Sequence, residues 1–183
     1  MTKLEKLKQQ VKADKNLPFR EEATNLVFGE GPENPTVMLI GEAPGKNEDL
    51  TGRPFIGSAG KILVELIESV GLTREQVYIT SVIQYRPPKN RDPKPQEIAL
   101  FQPYVDQQIK LLNPKIIVTL GRFSLSKFLP NAKIAEVHGK PQEIIWEGLK
   151  LIIVPMYHPA AIIYNQKLKQ TLKEDFQVIK NFI

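Results

Sequence analysis

The sequence contains no cysteine, and this absence excludes several kinds of chemistry. Disulfide bonds, thiolate nucleophiles, cysteine-bound zinc and cysteine-bound iron–sulfur clusters all require that residue. Long apolar runs are also missing, because no stretch reaches the roughly 18 residues of a membrane-spanning helix. No signal peptide opens the chain. We therefore expect a cytoplasmic protein with no membrane partner.

The composition is that of a soluble globular domain. Of the 183 residues, 42% are hydrophobic and 25% are charged, which is enough apolar material to bury a full core. We predict a single domain over residues 1–183, with residues 1–35 forming an N-terminal helix and loop that pack on the core. The net charge of +5 permits a polyanionic partner without proving one. Nothing in the sequence indicates an oligomer, so we expect a monomer.

Four apolar runs alternate with helical patterns along the chain. The predicted strands cover residues 36–40, 77–83, 115–120 and 149–156. The predicted helices cover residues 2–13, 58–71, 95–112, a short stretch after 121, and 167–182. Strands that are apolar on both faces and alternate with helices indicate a mostly parallel sheet between helical layers. The sequence therefore predicts an α/β three-layer sandwich with a central four-stranded sheet.

The segment from Gly41 to Gly60, GEAPGKNEDLTGRPFIGSAG, follows the first predicted strand. It is rich in glycine and proline, and it begins at the carboxyl end of a strand, where open α/β sheets bind ligands. The segment holds three acids and one aromatic ring: Glu42, Glu48, Asp49 and Phe55. Acids and a ring on one loop favour a pocket for a flat, polar molecule.

Two simpler interpretations explain this segment less well. Residues 57–61 resemble a phosphate-binding loop, but Phe55 replaces its first glycine and Ile62 replaces the serine or threonine that holds magnesium. An ordinary connecting loop explains the glycines but not the length and composition of the segment.

Two further segments leave the carboxyl ends of predicted strands. ITSVIQYRPPKNRDP spans the end of the second strand, and VPMYHPAAII spans the end of the fourth. Loops at the carboxyl ends of parallel strands converge on one crevice. Together with the first segment, these motifs make the chain resemble the family 4 uracil-DNA glycosylases. The resemblance runs from about Val27 to the C-terminus and includes VFGEGP and VTLGR.

The resemblance implies the uracil-DNA glycosylase fold and a function in DNA base-excision repair. The protein would hydrolyse the N-glycosidic bond of a uracil flipped out of single- or double-stranded DNA, and it would leave an abasic site. Flipping is required because the bond cannot be reached inside a duplex. Such an enzyme is monofunctional and needs no metal.

The resemblance also assigns roles to residues of the three segments. Phe55 would stack on the flipped uracil, and His158 would donate a hydrogen bond to the uracil oxygen that gains negative charge as the bond breaks. A carboxylate should position the attacking water, and Glu42 and Glu48 both stay open for that role, with Glu42 preferred. Three consecutive residues would bind the pyrimidine edge: Gly41, Glu42 and Ala43.

Contacts with the DNA backbone are implied outside the pocket. The charged loop after the second strand would bind phosphates, since lysine and arginine supply sequence-independent affinity. Its candidate residues are Arg86, Lys89, Asn90 and Arg91. The segment after His158 would form an apolar wedge that holds the duplex open, through Ile162 and Tyr164. Lys140 would flank the groove.

Four positions depart from the family in a way that removes its cofactor. Members of the family carry four cysteines that bind a 4Fe–4S cluster, and this chain has other residues there: Asp14, Leu17, Tyr85 and Phe101. We expect no cofactor. We also predict that the three apolar side chains fill the space of the cluster, because an empty cavity costs stability.

Ser81 is the second departure, since the family has asparagine at this position. A hydroxyl is shorter than an amide and cannot make the same paired contact with a pyrimidine edge. Weaker uracil recognition, a bridging water and a shifted base specificity all stay open, as does a catalytically weak or inactive module that binds DNA lesions. A glycosylase that stays covalently joined to DNA is disfavoured, because the loop over residues 86–94 contains no histidine.

Overall fold

One five-stranded sheet forms the centre of the protein in a computed structural model that describes residues 1–183. The strands are β1 (Val37–Gly41), β2 (Tyr78–Ser81), β3 (Ile116–Leu120), β4 (Gln142–Trp146) and β5 (Leu149–Met156). Their order across the sheet is β2-β1-β3-β5-β4. Strands β1, β2, β3 and β5 run parallel, whereas β4 pairs antiparallel with β5.

Eight α-helices surround the sheet, and none of them combines the length and apolar character needed to cross a membrane. They are α1 (Lys3–Ala13), α2 (Lys46–Thr51), α3 (Ser58–Ser69), α4 (Pro95–Leu112), α5 (Arg122–Phe128), α6 (Ile134–Val137), α7 (Ala161–Tyr164) and α8 (Leu168–Gln177).

The alternation of side chains along β1 separates two helical layers. Met38 and Ile40 pack in one core with residues of α1 and α4. Val37 and Leu39 point to the other face and pack with residues of α3 and α8. Helices therefore cover both faces of the sheet, and the predicted α/β three-layer sandwich is confirmed.

The sheet has one strand more than the four that the sequence predicts. Strand β4 lies at the edge, where every second residue is exposed, so it lacks the continuous apolar run of the central strands. The turn Glu147-Gly148 joins it to β5 with positive φ at both residues, 45° and 82°. A two-residue turn ending in glycine between two apolar-polar runs is the sequence signal of such a hairpin.

The N-terminal segment packs on the same core. Leu7 and Val11 of α1 are buried in the layer that contains α4. The helix begins with a capping box, in which Thr2 and Glu5 each bind the other's backbone N–H. Farther along, Glu30 forms a backbone bridge with Ile79 of β2, so the segment also extends the edge of the sheet.

Candidate active site

A cleft of about 600 Å³ opens at the carboxyl ends of β1, β2 and β5. Gly41, the last residue of β1, lies against the ring of Phe55 but does not itself line the cleft. The cleft brings together six residues predicted to bind or convert a substrate: Glu42, Ala43, Glu48, Phe55, Ser81 and His158. The loops therefore converge as the parallel sheet requires.

Phe55 enters the cleft in an unusual backbone conformation. Its φ angle is 48°, in the left-handed region that non-glycine residues rarely adopt. Two glycines make room for it. A Cβ at Gly60 would lie 2.0 Å from the Phe55 carbonyl oxygen, and a Cβ at Gly41 would lie 2.6 Å from its ring. The ring lies 5.6 Å from the imidazole of His158, with 28° between the two planes.

His158 is held in one tautomer. The Ala160 N–H donates a hydrogen bond to Nδ1 over 3.1 Å, so the neutral ring carries its proton on Nε2. Burial lowers the pKa of His158 to about 4, although the charge of Glu48 acts in the opposite direction. The imidazole is therefore neutral at pH 7 and offers one N–H donor to the cleft.

Glu42 directly follows β1 and is half-buried in the cleft. Burial raises the pKa of its carboxyl, the charge of Asp92 raises it further, and Arg122 lowers it. No protein group donates a hydrogen bond to this carboxylate. Its oxygens are therefore free to bind a water molecule or a ligand.

Glu48 lies in α2, and its carboxylate accepts hydrogen bonds from three backbone N–H groups. Oε1 accepts hydrogen bonds from the N–H groups of Ile56 (3.0 Å) and Gly57 (2.8 Å), and Oε2 accepts one from Gly45 (3.1 Å). These bonds use most of the acceptor positions of a carboxylate. They tie α2 to the turn after Phe55, so Glu48 shapes the cleft.

Ser81 is the last residue of β2 and pairs with Gly41 across the sheet. It is buried and lines the cleft beside the loop that carries Glu42. The substitution noted in the sequence therefore lies at the floor of the candidate site.

Comparisons with known proteins agree with this geometry. A family model of the uracil DNA glycosylase superfamily matches residues 28–180. The chain belongs to this superfamily. A type-4 uracil-DNA glycosylase of Sulfurisphaera tokodaii is 46% identical over 186 residues, which cover 98% of this chain and 84% of the relative. A type-4 uracil-DNA glycosylase of Thermotoga maritima is 40% identical over 184 residues, covering 98% of this chain and 94% of the relative. The predicted family is thereby confirmed.

The charged loop of this superfamily member, residues 86–94, lies at the rim of the cleft. Its side chains differ in whether a protein group already binds them. Arg91 makes two hydrogen bonds with Glu97, of 2.9 and 2.6 Å, and lies 5.0 Å above the ring of Phe19. The Nε of Arg86 donates to Asn90 over 2.7 Å. Arg91 must release Glu97 before its terminal N–H groups can bind a phosphate, whereas the two Nη groups of Arg86 have no protein partner. Lys89 is exposed and has no ion-pair partner, which leaves its ammonium group available, although neither Lys89 nor Arg86 lines the cleft.

The prediction that Ile162 belongs to an apolar wedge is wrong. Its side chain is only 4% exposed and packs in the core with Leu172 and Phe176. Helix α7 turns Ile163 and Tyr164 outward instead, and Tyr164 is 89% exposed at the cleft. An apolar run gives no helical phase by itself, so the prediction named the inward residue Ile162 together with the outward Tyr164.

Lys140 lies next to the carboxyl end of β5, because the Gly139 N–H bonds to the Pro155 carbonyl. Its ammonium group donates to the Glu136 carbonyl over 2.8 Å, and the residue does not line the cleft. A contact between Lys140 and bound DNA stays a prediction.

Sequence reasoning missed an ion pair at the cleft. Asp92 lines it and forms an ion pair with Arg122, the first residue of α5. The signal was present, because Arg122 belongs to the VTLGR motif at the carboxyl end of β3 and Asp92 closes the charged loop. Their pairing follows only from the approach of two loops that are distant in sequence.

Packed side chains fill the positions of the family's cysteines. Leu17, Tyr85 and Phe101 are buried in one core, and the last two rings lie 6.2 Å apart. Asp14 follows α1 and accepts a hydrogen bond from the hydroxyl of Tyr104 in α4 over 2.7 Å. Because thiolates are absent and the space is occupied, these residues do not fit an iron–sulfur cluster.

Proposed function

We propose that this protein is a DNA-repair glycosylase that hydrolyses the N-glycosidic bond of uracil flipped out of DNA, leaving an abasic site. The observation that carries the proposal is the convergence of Glu42, Phe55 and His158 on one cleft at the carboxyl edge of the sheet. A binding module needs the ring, but it has no use for a free carboxylate in the same cleft as a neutral histidine. The names of the type-4 relatives support the same activity.

His158 stabilises the departing base. In the reaction the C1′–N1 bond breaks and its electron pair leaves with the uracil ring, where the charge spreads onto the oxygens. The Nε2–H of His158 donates to one of them while Phe55 stacks on the ring. A preorganised donor of this kind contributes about 3–4 kcal/mol to catalysis.

Glu42 acts on the sugar, at the other end of the bond that breaks. Its carboxylate binds the water whose oxygen joins C1′ and accepts the proton that this water releases, and its negative charge stabilises the positive charge that develops on the sugar. The free oxygens of Glu42 favour it over Glu48, whose carboxylate is held by three backbone N–H groups.

Lys89 supplies phosphate contacts and Tyr164 supplies the wedge. Ammonium groups bind phosphate without regard to sequence, and a large exposed side chain at the cleft fits the gap left by a flipped base. The substrate is single- or double-stranded DNA containing uracil, and the protein acts as a monomer. A cytoplasmic location, expected from the sequence, belongs to the same proposal.

The activity is proposed to need no iron–sulfur cluster. The support is the buried packing of Leu17, Tyr85 and Phe101, which leaves no space for one. Iron and sulfide analysis of the purified protein checks this directly. Stoichiometric iron and sulfide would overturn it.

The decisive experiment uses a labelled oligonucleotide with one uracil, either opposite guanine or in a single strand. Alkali cleaves the abasic product, and we expect cleavage with the parent protein. His158→Ala should lower the rate by roughly 100- to 1000-fold. His138→Ala is the matched control, because that histidine pairs with Asp175 at 2.7 Å outside the cleft. DNA binding without cleavage by the parent would support a lesion-binding module instead.

A further inference from the structure

The positive φ angle of Phe55 must be held by a contact with another part of the chain, because phenylalanine does not favour this conformation by itself. A phenylalanine at φ 48° is in a conformation of raised free energy. Gly60 and Gly41 permit this conformation by leaving space for it, but vacant space does not hold a residue there. Some attractive contact must therefore favour the left-handed form over the relaxed one.

Arg74 provides such a contact from 19 residues farther along the chain. Its Nη1 donates to the Phe55 carbonyl over 2.8 Å, and its Nη2 donates to the carbonyl of Pro54. The side chain is only 12% exposed, so little water competes for these bonds. One guanidinium thus binds both carbonyls that flank the strained φ angle.

Arg74 is itself anchored to the sheet. It begins the 3₁₀ turn Arg74–Gln76, which leads directly into β2. Its Nε lies 3.6 Å from the carboxylate of Glu30, whose backbone makes two hydrogen bonds with Ile79 of β2, 3.0 and 2.8 Å long. The guanidinium therefore connects the edge of the sheet to the carbonyl of Phe55.

We propose that Arg74 is a positioning residue for base stacking, which holds Phe55 in the left-handed conformation that places its ring beside His158. The proposal rests on the proposed function and extends it to a residue outside the cleft. Without Arg74, the Pro54–Phe55 turn relaxes toward negative φ and the ring moves away from the histidine. Contacts with phosphates, which come from other loops, are unaffected.

Arg53 offers a matched control. It makes two hydrogen bonds with the same Glu30 carboxylate, of 2.8 and 2.7 Å, but it donates to neither the Pro54 nor the Phe55 carbonyl. Arg53→Met and Arg74→Met remove the same charge from the same carboxylate. The two variants differ in whether the carbonyls of the turn keep their donors.

The kinetic test compares Arg74→Met, Arg74→Lys and Arg53→Met on uracil-containing DNA. We expect Arg74→Met to lower kcat on the order of 100-fold with KM for DNA unchanged, because a misplaced contact near the reacting group has that effect. Arg74→Lys keeps a charged donor but lacks the fork that reaches both carbonyls, so it should recover part of the loss. Arg53→Met should stay within about twofold of the parent.

A second measurement does not depend on activity. The chain has two histidines, so selective ¹³C-histidine labelling yields a simple NMR spectrum. The ring current of Phe55 acts on His158 across 5.6 Å. Arg74→Met should shift the His158 ring protons and leave those of His138 in place, and Arg53→Met should shift neither. Assignment follows from His138→Asn.

The outcomes separate the possibilities. If the His158 signal of Arg74→Met is not shifted, the positioning role is overturned. This holds if kcat is normal, and it also holds if kcat falls together with the urea midpoint, because the loss is then one of stability. If the parent excises no uracil, the proposed function fails, and the His158 shift alone then decides whether Arg74 positions Phe55.

Discussion

The backbone N–H of Ala160 donates to Nδ1 of His158 across 3.1 Å, two residues along the chain. This single bond decides which nitrogen can serve the substrate. Protonation of Nδ1 would break it and place a charge in a buried site, so burial and this contact both favour the neutral ring. His158 is therefore a neutral donor across the physiological pH range.

The depressed pKa of His158 makes folding stability depend on pH. An unfolded histidine titrates near 6.5, whereas His158 in the folded protein titrates near 4. As pH falls, the unfolded state takes up the proton first, so the folded state loses stability between about pH 6.5 and 4. The loss is at most about 3 kcal/mol, because each unit of pKa difference between the two states corresponds to about 1.4 kcal/mol.

Urea unfolding at pH 7.5, 5.5 and 4.5 measures this effect. His158→Gln cannot titrate, and its free energy of unfolding should fall less over the same interval. Equal pH dependence in the parent and the variant would show that His158 titrates normally.

Glu42→Gln should lower the rate of the reaction, whereas Glu48→Gln should lower the stability of the fold. Glu42→Gln removes the free carboxylate, and we expect kcat to fall by roughly 100-fold or more with the urea midpoint unchanged or higher. Glu48→Gln replaces one of two accepting oxygens by a donor, which leaves backbone N–H groups unpaired and should destabilise the fold by about 1–3 kcal/mol.

The pH profile of kcat gives an independent check on Glu42. Because the pKa of Glu42 is raised, the rate should increase with pH through a value above that of an ordinary glutamate. This rise of kcat with pH should disappear in Glu42→Gln. If the rise persists in Glu42→Gln and disappears in Glu48→Gln, Glu48 is the residue that activates the water.

Asp92→Asn should strengthen DNA binding. The substitution removes a negative charge from the mouth of the cleft and releases Arg122 to bind a phosphate. We expect a severalfold lower Kd for undamaged DNA and a steeper dependence on salt. Fluorescence anisotropy at two salt concentrations measures both. Glu143→Gln is a suitable control, because it removes the same charge from an exposed ion pair between Glu143 on β4 and Lys150 on β5.

Ser81→Asn should improve uracil recognition. An amide at the end of β2 both donates and accepts, and one added hydrogen bond to the base contributes about 1 kcal/mol or more. We expect up to about tenfold higher selectivity for uracil over other damaged bases, measured as a ratio of kcat/KM. Unchanged selectivity would show that the serine hydroxyl or a water already makes the contact.

The sequence by itself determined the four parallel strands, the family and the centre of the site. Apolar runs and their alternation with helices are local properties of the chain, so they revealed the parallel strands before any contact was known. The position of His158 and Phe55 followed, because loops at the carboxyl ends of such strands must meet.

The tertiary structure decided which side chains are free to act. Glu42 and Glu48 are equivalent acids in the sequence, yet only Glu48 is held by the backbone of a later turn. Ile162 belongs to an apolar run, but the phase of α7 turns it inward. The contact of Arg74 with Phe55 depends on the folding of α3 between them. Such partners come from distant segments, and periodicity along the chain carries no information about them.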